Sequence, residues 1–82
     1  MVTIYVIQSI STNKLYVGMT EDLKNRLNEH NAGKSKYTAS FKPWKVIYTE
    51  TADDFTGARK REIYLKSTAG KNFVRKHCNV EE

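Results

Sequence analysis

The stretch TIYVIQSISTNKLYVGM, residues 3–19, holds two runs of β-branched and apolar residues around a polar centre. Thr3 to Gln8 and Lys14 to Met19 favour strands, and the polar residues between them favour a turn, so the stretch predicts an antiparallel hairpin. Each strand carries one tyrosine, Tyr5 and Tyr16. The two share a sheet face only if the hairpin register is right, and the sequence leaves that register open.

A helix is predicted directly after the hairpin. Thr20 can cap it, and Glu21 and Asp22 suit the positive end of its dipole. It is expected to run to about His30 and to stop near Gly33, which supplies the left-handed exit. Beyond it, residues 34–42 read as a polar, basic connection.

The second half of the chain predicts one more strand and two more helices. Trp44 to Tyr48 has the composition of a strand. Thr51 or Asp53 can cap a helix that runs to about Ala69. Gly70 is expected to break that helix. The element order is then β-β-α-β-α-α, with the last, short helix at residues 71–76.

Length and composition indicate a small globular protein. The 82 residues fit one domain spanning residues 1–82, in which residues 80–82 are expected to fray. No apolar run approaches the roughly 20 residues that cross a bilayer, and the N-terminus lacks a signal-peptide pattern. The single cysteine, Cys78, can form no internal disulfide and makes no zinc-ligand spacing with the two histidines. We therefore expect a cytoplasmic protein without a membrane partner.

The charge balance favours an anionic partner. Fourteen Lys and Arg against nine Asp and Glu give a net charge of +5. Such a surface attracts any polyanion, nucleic acid included. The alternative is a solvated surface that keeps a small protein soluble, and charge by itself does not separate the two.

Glu62 falls in the middle of an otherwise apolar helix face at about 100° per residue. A carboxylate there is partly desolvated, which is costly unless a cation or a hydrogen-bond donor meets it. It can be a structural ion-pair partner of Arg26 or of a lysine, or a ligand of Mg2+, which takes one or two carboxylates and keeps its waters. The apolar members of the face are Phe55, Ala58, Leu65 and Ala69.

Arg26 and His30 are four residues apart and share one helix face, at the edge of the stripe that Leu23 and Leu27 are expected to bury. An arginine can hold a phosphate through two hydrogen bonds and does not deprotonate. A histidine can carry a proton near neutral pH, or can simply favour the negative end of the helix dipole.

The two tyrosines could instead be packing residues, because tyrosines in strands are more often packing residues than catalytic ones. Beside an arginine and a glutamate they favour phosphodiester chemistry on nucleic acid. A phenol has a free pKa of about 10, so it would need metal-bound water or a positive neighbour to act as a base near pH 7.

The basic connection before Trp44 mixes cations with aromatic residues, which suits phosphate contact and base stacking. The alternative is a solvated loop in which Trp44 anchors the third strand, and for Trp44 we favour this alternative. The residues expected to contact nucleic acid are Lys24, Lys34, Lys36, Tyr37, Lys42, Lys66, Lys71 and Asn72.

Taken in order, these segments resemble the GIY-YIG nuclease superfamily, in particular its small stand-alone members related to the nuclease module of bacterial excision repair. The matching segments are Ile4-Tyr5-Val6, Tyr16-Val17-Gly18, and residues 23–34, 42–48, 58–66 and 70–73. The first triplet lacks its glycine, Asn25 stands where some members place a lysine, and Asn72 is only a candidate for a late active-site asparagine.

The resemblance implies an α+β fold with a three-stranded antiparallel sheet flanked by helices. It also implies a one-metal endonuclease acting on DNA, in repair or recombination. Glu62 would hold Mg2+ or Mn2+, Tyr5 would be the favoured general base, Tyr16 would orient water or phosphate, Arg26 would clamp the phosphate and His30 would support the proton relay.

Two other functions remain open from the sequence. One is a non-catalytic nucleic-acid-binding module on the same fold, and the other is a protein-interaction domain that uses its basic face for acidic partners. Because so short a chain has no separate recognition domain, a protein partner could supply substrate specificity.

Overall fold

The computed structural model describes residues 1–78 and contains a three-stranded antiparallel sheet with helices, which confirms the expected α+β class. The strands are β1 (Val2–Ser9), β2 (Leu15–Thr20) and β3 (Trp44–Ala52), and their order in the sheet is β2-β1-β3. The hairpin strand β1 therefore lies in the centre. The expectation about residues 80–82 concerns a part of the chain outside the described residues.

Both faces of β1 are buried, because each face packs on a different set of helices. Ile4 and Val6 face a cluster that also contains residues of the two C-terminal helices. Tyr5 and Ile7 face the opposite way, toward Trp44 and the first helix. Alternation along a strand produces this division, and burial on both sides explains why β1 is apolar almost throughout.

Within the described part of the chain four helices surround the sheet, one more than the sequence predicts. They are α1 (Leu23–Asn31), α2 (Lys36–Ala39), α3 (Phe55–Lys66) and α4 (Thr68–Cys78). Among residues 1–78, none of them has the length and apolar character to span a membrane.

The extra helix α2 corrects the expectation of a loop over residues 34–42. It is a single turn in which the amide of Ala39 donates to the carbonyl of Ser35 at 2.8 Å. Thr38 in this turn is completely buried. The turn forms because tertiary contacts hold Thr38 in the interior, and composition alone carries no sign of this.

Both predicted helix caps were placed too early in the chain. Thr20 is the last residue of β2 and pairs with Thr3, and the cap of α1 is Asp22, whose carboxylate accepts from the amide of Asn25 at 3.2 Å. Likewise β3 continues through Ala52, and Asp54 caps α3. In each case strand pairing extends the sheet past the first residue capable of capping.

The expected break at Gly70 was wrong. The helix ends at Lys66, Ser67 is extended, and Gly70 lies buried inside α4. A Cβ there would collide with the Tyr64 carbonyl and lie 2.5 Å from Leu65 Cα. This glycine therefore allows close approach of α4 to α3 and does not end a helix.

The apolar face predicted for α3 is shorter than expected. Ala58 and Leu65 are completely buried, but Phe55 is half exposed and Ala69 is an exposed residue of the next helix. The face ends where α3 ends, so only its central part packs on the sheet.

Candidate functional site

Tyr5 lies at one end of a chain of hydrogen bonds that runs through His30 and Thr38 to Ser35. Its register partner in β2 is Gly18, and its hydroxyl is 2.9 Å from Nε2 of His30. On the other side of the imidazole, Nδ1 is 2.8 Å from the Thr38 hydroxyl oxygen, and that hydroxyl donates to the Ser35 carbonyl at 3.4 Å. The chain joins β1, α1 and α2.

His30 was expected at the edge of a stripe buried by Leu23 and Leu27, and this was wrong. It is completely buried and is the only fully buried residue of α1, whereas Leu23 and Leu27 are partly exposed. His30 is buried because α2 follows α1 closely in the chain and places the Thr38 hydroxyl against Nδ1 of the imidazole. A buried imidazole with a partner on each nitrogen is held in one orientation.

The hydrogen bonds assign the direction of proton donation. Because Thr38 donates to a carbonyl, its oxygen is free to accept from Nδ1–H of His30. The unprotonated Nε2 then accepts from the Tyr5 hydroxyl. Burial lowers the pKa of His30, and the nearby positive charge of Arg26 lowers it further, which favours this neutral form.

The pKa of Tyr5 is raised above its usual value, first because the phenol is buried. A hydrogen bond with Arg26 opposes the shift, while Tyr16 and Glu62 add to it. Tyr5 is therefore a neutral phenol at pH 7, and an added positive charge nearby would favour its ionisation. Of the charged groups that affect this pKa, Arg26 lowers it and Glu62 raises it slightly.

Tyr16 shares the sheet face of Tyr5, as the hairpin register requires, since Tyr16 pairs with Ile7. The two phenol rings are nearly parallel, with centroids 6.5 Å apart, and the Tyr16 ring lies 5.1 Å from that of His30. Tyr5 is only 1% exposed, whereas Tyr16 is partly exposed. One phenol thus faces a proton acceptor and the other faces solvent.

Gly18 permits this arrangement. A Cβ at Gly18 would lie 2.6 Å from Cζ of Tyr5 and closer still to its hydroxyl. A glycine inside a strand often marks such a close approach, so this constraint could have been inferred from the sequence.

Glu62 is buried between Ala58 and Leu65 on α3, with its side chain 8% exposed. Its carboxylate is 2.7 Å from Nη1 of Arg59 and 3.6 Å from Nζ of Lys66. The expected ion pair therefore exists, but its arginine is Arg59.

Arg26 was the arginine expected to pair with Glu62, and it instead lies 3.4 Å from Glu29 on its own helix. Residues three or four apart are neighbours on the helix surface, which favours the pairs of Arg26 with Glu29, Arg59 with Glu62, and Glu62 with Lys66. The spacing of Arg59 and Lys66 around Glu62 could have been found in the sequence.

As a single carboxylate, Glu62 could hold a largely hydrated divalent cation but not one in a closed protein cage, and Arg59 and Lys66 are its partners in this structure. Within residues 1–78 no three His, Cys, Asp or Glu side chains group as a metal cluster. Mg2+ typically binds through one or two carboxylates while retaining waters and binding phosphate oxygens. Glu62 is such a single carboxylate.

Three of the expected nucleic-acid contacts converge beside Tyr16. Tyr37, Lys66 and Lys71 line a pocket of about 390 Å³ together with Tyr16 and two apolar residues of β2. The Tyr16 and Tyr37 rings are 6.1 Å apart. Two cations and two aromatic rings in one pocket suit phosphate and base contact.

The other expected contacts do not line this pocket. They are exposed residues on α1, α2, the segments flanking α2, and α4, namely Lys24, Lys34, Lys36, Lys42 and Asn72. Trp44 is 3% exposed, and its indole donates to the Thr38 carbonyl at 2.7 Å, which confirms its structural role. Sequence reasoning missed Thr38 as a site residue, and no pattern in the sequence marks it.

Comparison with known proteins identifies the same family that the sequence motifs resemble. A family model described as GIY-YIG catalytic domain matches residues 1–77. A UPF0213 protein of Syntrophus aciditrophicus is 40% identical over 65 residues, which cover 77% of this chain and 74% of that protein. A UPF0213 protein of Streptococcus agalactiae is 36% identical over 81 residues, covering 94% and 91% of the two chains. No solved structure was found to match.

Proposed function

Because the chain belongs to the GIY-YIG family of nuclease catalytic domains, we propose that it is a divalent-metal-dependent endonuclease that hydrolyses DNA phosphodiester bonds. The observation that carries this proposal is the buried contact at 2.9 Å between the Tyr5 hydroxyl and Nε2 of His30, on the helix that also carries Arg26. A buried tyrosine hydroxyl needs a hydrogen-bond partner in any case, but an imidazole is a partner that can also accept the proton.

Tyr5 is the proposed general base because it has a proton acceptor behind it. The attacking water gives a proton to the Tyr5 oxygen as the Tyr5 proton passes to Nε2 of His30. The water oxygen bonds to phosphorus, the bond to the leaving oxygen breaks, and that oxygen takes a proton from solvent. Tyr5 is 1% exposed, so the attacking water can reach its hydroxyl only when neighbouring side chains move aside.

Tyr16 and Arg26 are proposed to position the substrate. Tyr16 is partly exposed and lies beside the lysine-lined pocket, so its phenol can donate to a phosphate oxygen or orient water. The Arg26 side chain is 34% exposed, and its guanidinium suits two hydrogen bonds to a phosphate. Thr38 acts through His30 by holding the imidazole in place.

Glu62 is the proposed ligand of Mg2+ or Mn2+. When bound, such an ion stabilises negative charge that develops on the phosphate. The pocket formed by Tyr37, Lys66 and Lys71 would hold neighbouring nucleotides. We also propose a role in DNA repair or recombination, a cytoplasmic location, and a protein partner that supplies specificity.

A non-catalytic DNA-binding module is the second candidate, and one observation favours it. The carboxylate of Glu62 already has two cationic partners, Arg59 and Lys66, and so has no need of a metal ion to compensate its charge.

A plasmid assay separates the two candidates. Supercoiled DNA is incubated with the full chain and Mg2+, Mn2+ or a chelator, using the wild type, Glu62→Gln and Glu50→Gln. Glu50 is the matched control, since its carboxylate is paired with Arg61 at 2.7 Å outside the candidate site. We expect nicking only with metal, its loss in Glu62→Gln and its retention in Glu50→Gln. Retardation of the plasmid without nicking would favour the binding module.

A further inference from the structure

The carboxylate of Glu62 is held between two cations of its own helix. Arg59 lies one turn before it and Lys66 one turn after it, at 2.7 and 3.6 Å. The carboxylate is nearly buried, but the Arg59 side chain is 61% exposed and that of Lys66 is 52% exposed. The two cations can therefore leave the carboxylate without disturbing the core.

Each cation also borders an open space into which it can move. Arg59 lines a depression of about 600 Å³ together with Met19 and Lys60. Lys66 lines the smaller pocket beside Tyr16. The two cationic partners of Glu62 thus line two separate hollows, where each can meet an anion.

This arrangement opposes the binding of a divalent cation in the free protein. The short contact with Arg59 occupies one carboxylate oxygen, and two positive charges nearby repel an arriving cation. A metal ion that binds both carboxylate oxygens must displace Arg59, and one that binds a single oxygen must still approach two cations. A DNA phosphate at either hollow would draw a cation away from the carboxylate and remove part of that repulsion.

We propose that Arg59 is a displaceable counter-ion of Glu62, which lowers the metal affinity of the free protein and makes metal binding depend on bound DNA. The inference rests on the proposed role of Glu62 as metal ligand. Because coupling between two binding equilibria is reciprocal, the metal also strengthens DNA binding by the same factor. The free protein would then hold little metal and become loaded at its substrate.

A purely structural ion pair gives a different expectation. Exposed pairs of this spacing on one helix contribute little to stability. If Arg59 only supports α3, its removal leaves the metal affinity of Glu62 unchanged.

The first test is a calorimetric titration of the full chain with Mn2+ in the absence of DNA. Arg59→Gln removes the pair, and Lys60→Gln is the matched control, since Lys60 is exposed, adjacent and not within ion-pair distance of Glu62. We expect Arg59→Gln to bind Mn2+ about three- to tenfold more tightly than the wild type, and Lys60→Gln to change the affinity by less than about twofold. Equal or weaker binding by Arg59→Gln overturns the proposal.

The second test measures the coupling to DNA, in a Tyr5→Phe background so that the oligonucleotide is not cut during the titration. A short oligonucleotide is expected to tighten Mn2+ binding when Arg59 is present, and to tighten it at least about threefold less in the Arg59→Gln chain. The same tightening in both chains overturns the link to DNA.

A Glu62→Gln titration distinguishes this inference from the proposed function. If Glu62→Gln binds Mn2+ as well as the wild type does, the metal assignment fails and the counter-ion role fails with it. If Glu62→Gln loses Mn2+ binding but Arg59→Gln leaves the Mn2+ affinity unchanged, only the counter-ion role fails. Circular dichroism of each variant checks that the fold is retained.

Discussion

At the scale of single residues, the pair of Tyr5 and His30 combines two opposed shifts in pKa. Burial raises the pKa of the phenol and lowers that of the imidazole, so both groups are neutral near pH 7. A proton moving from Tyr5 to His30 creates a charge pair in a poorly solvated place, which is costly without further positive charge near the phenolate. Arg26 supplies part of that charge, and a metal at Glu62 would supply more.

Tyr5→Phe is expected to lower the rate of plasmid nicking by at least about 100-fold, because the ring is kept but the proton-transfer group is lost. The measurement is a nicking time course under saturating Mn2+. Tyr48→Phe is the control, since the Tyr48 hydroxyl bonds Glu50 away from the site. Equal rates for Tyr5→Phe and the wild type would remove Tyr5 from the mechanism.

His30 should make stability depend on pH. Its pKa is lowered in the folded state, so below about pH 6.5 the unfolded chain takes up a proton that the folded chain resists. Stability is therefore expected to fall as pH decreases through this range toward the folded-state pKa. Melting temperatures between pH 7.5 and 5.5 should show this slope in the wild type and a flatter one in His30→Gln. The exposed His77 provides the comparison, and a slope that disappears in His77→Gln would contradict the assignment.

At the scale of elements, the packing of α4 on α3 depends on the absence of a side chain at Gly70. The Tyr64 carbonyl and Leu65 Cα occupy the place where a Cβ would lie. This contact holds Lys71 near Lys66 at the pocket beside Tyr16. The shape of the pocket therefore depends on a glycine that has no chemical role.

Gly70→Ala is expected to lower the free energy of unfolding by about 1–3 kcal/mol, because the added methyl group forces the two helices apart. In an unconstrained helix the same change would stabilise by about 1 kcal/mol, so the sign is diagnostic. Urea unfolding measures it. Ala69→Gly, at an exposed position of the same helix, should cost only about 1 kcal/mol. A more stable Gly70→Ala chain would show that the helices are not in close contact.

At the scale of the whole molecule, the basic residues behind the net charge of +5 do not all lie near the pocket. Lys66 and Lys71 line the pocket at the edge strand β2, whereas Lys45 lies on β3 at the opposite edge of the sheet. If DNA binds at the pocket, the phosphate contacts should come mainly from the β2 side.

DNA binding is expected to weaken linearly in a plot of log affinity against log salt concentration. Lys66→Gln should reduce the magnitude of the slope by about one, because one phosphate contact is lost. Fluorescence anisotropy with a labelled oligonucleotide and no divalent ion measures this. Lys45→Gln is the control and should leave the slope unchanged. An equal effect of the two substitutions would indicate binding without a preferred surface.

The strands and most of the helices could be predicted because they rest on local patterns. The hairpin follows from two β-rich runs around a polar turn, and α3 follows from the spacing of Ala58, Glu62 and Leu65. Errors occurred where distant contacts override local preference. Thr20 can cap a helix but pairs with Thr3, and Gly70 can end a helix but serves as a contact point.

The amino-acid sequence by itself determined the two tyrosine strands and the membership of Glu62 in a buried face, since each depends on side-chain periodicity within one element. The fold class came from the resemblance of the ordered motifs to a known family. Only the tertiary structure decided that His30 is buried against Tyr5, 25 residues away along the chain, and that Glu62 is held by Arg59 and not by Arg26. The physical reason is that strand register and helix docking minimise exposed apolar surface over the whole molecule. No local pattern specifies which polar groups that burial brings into contact.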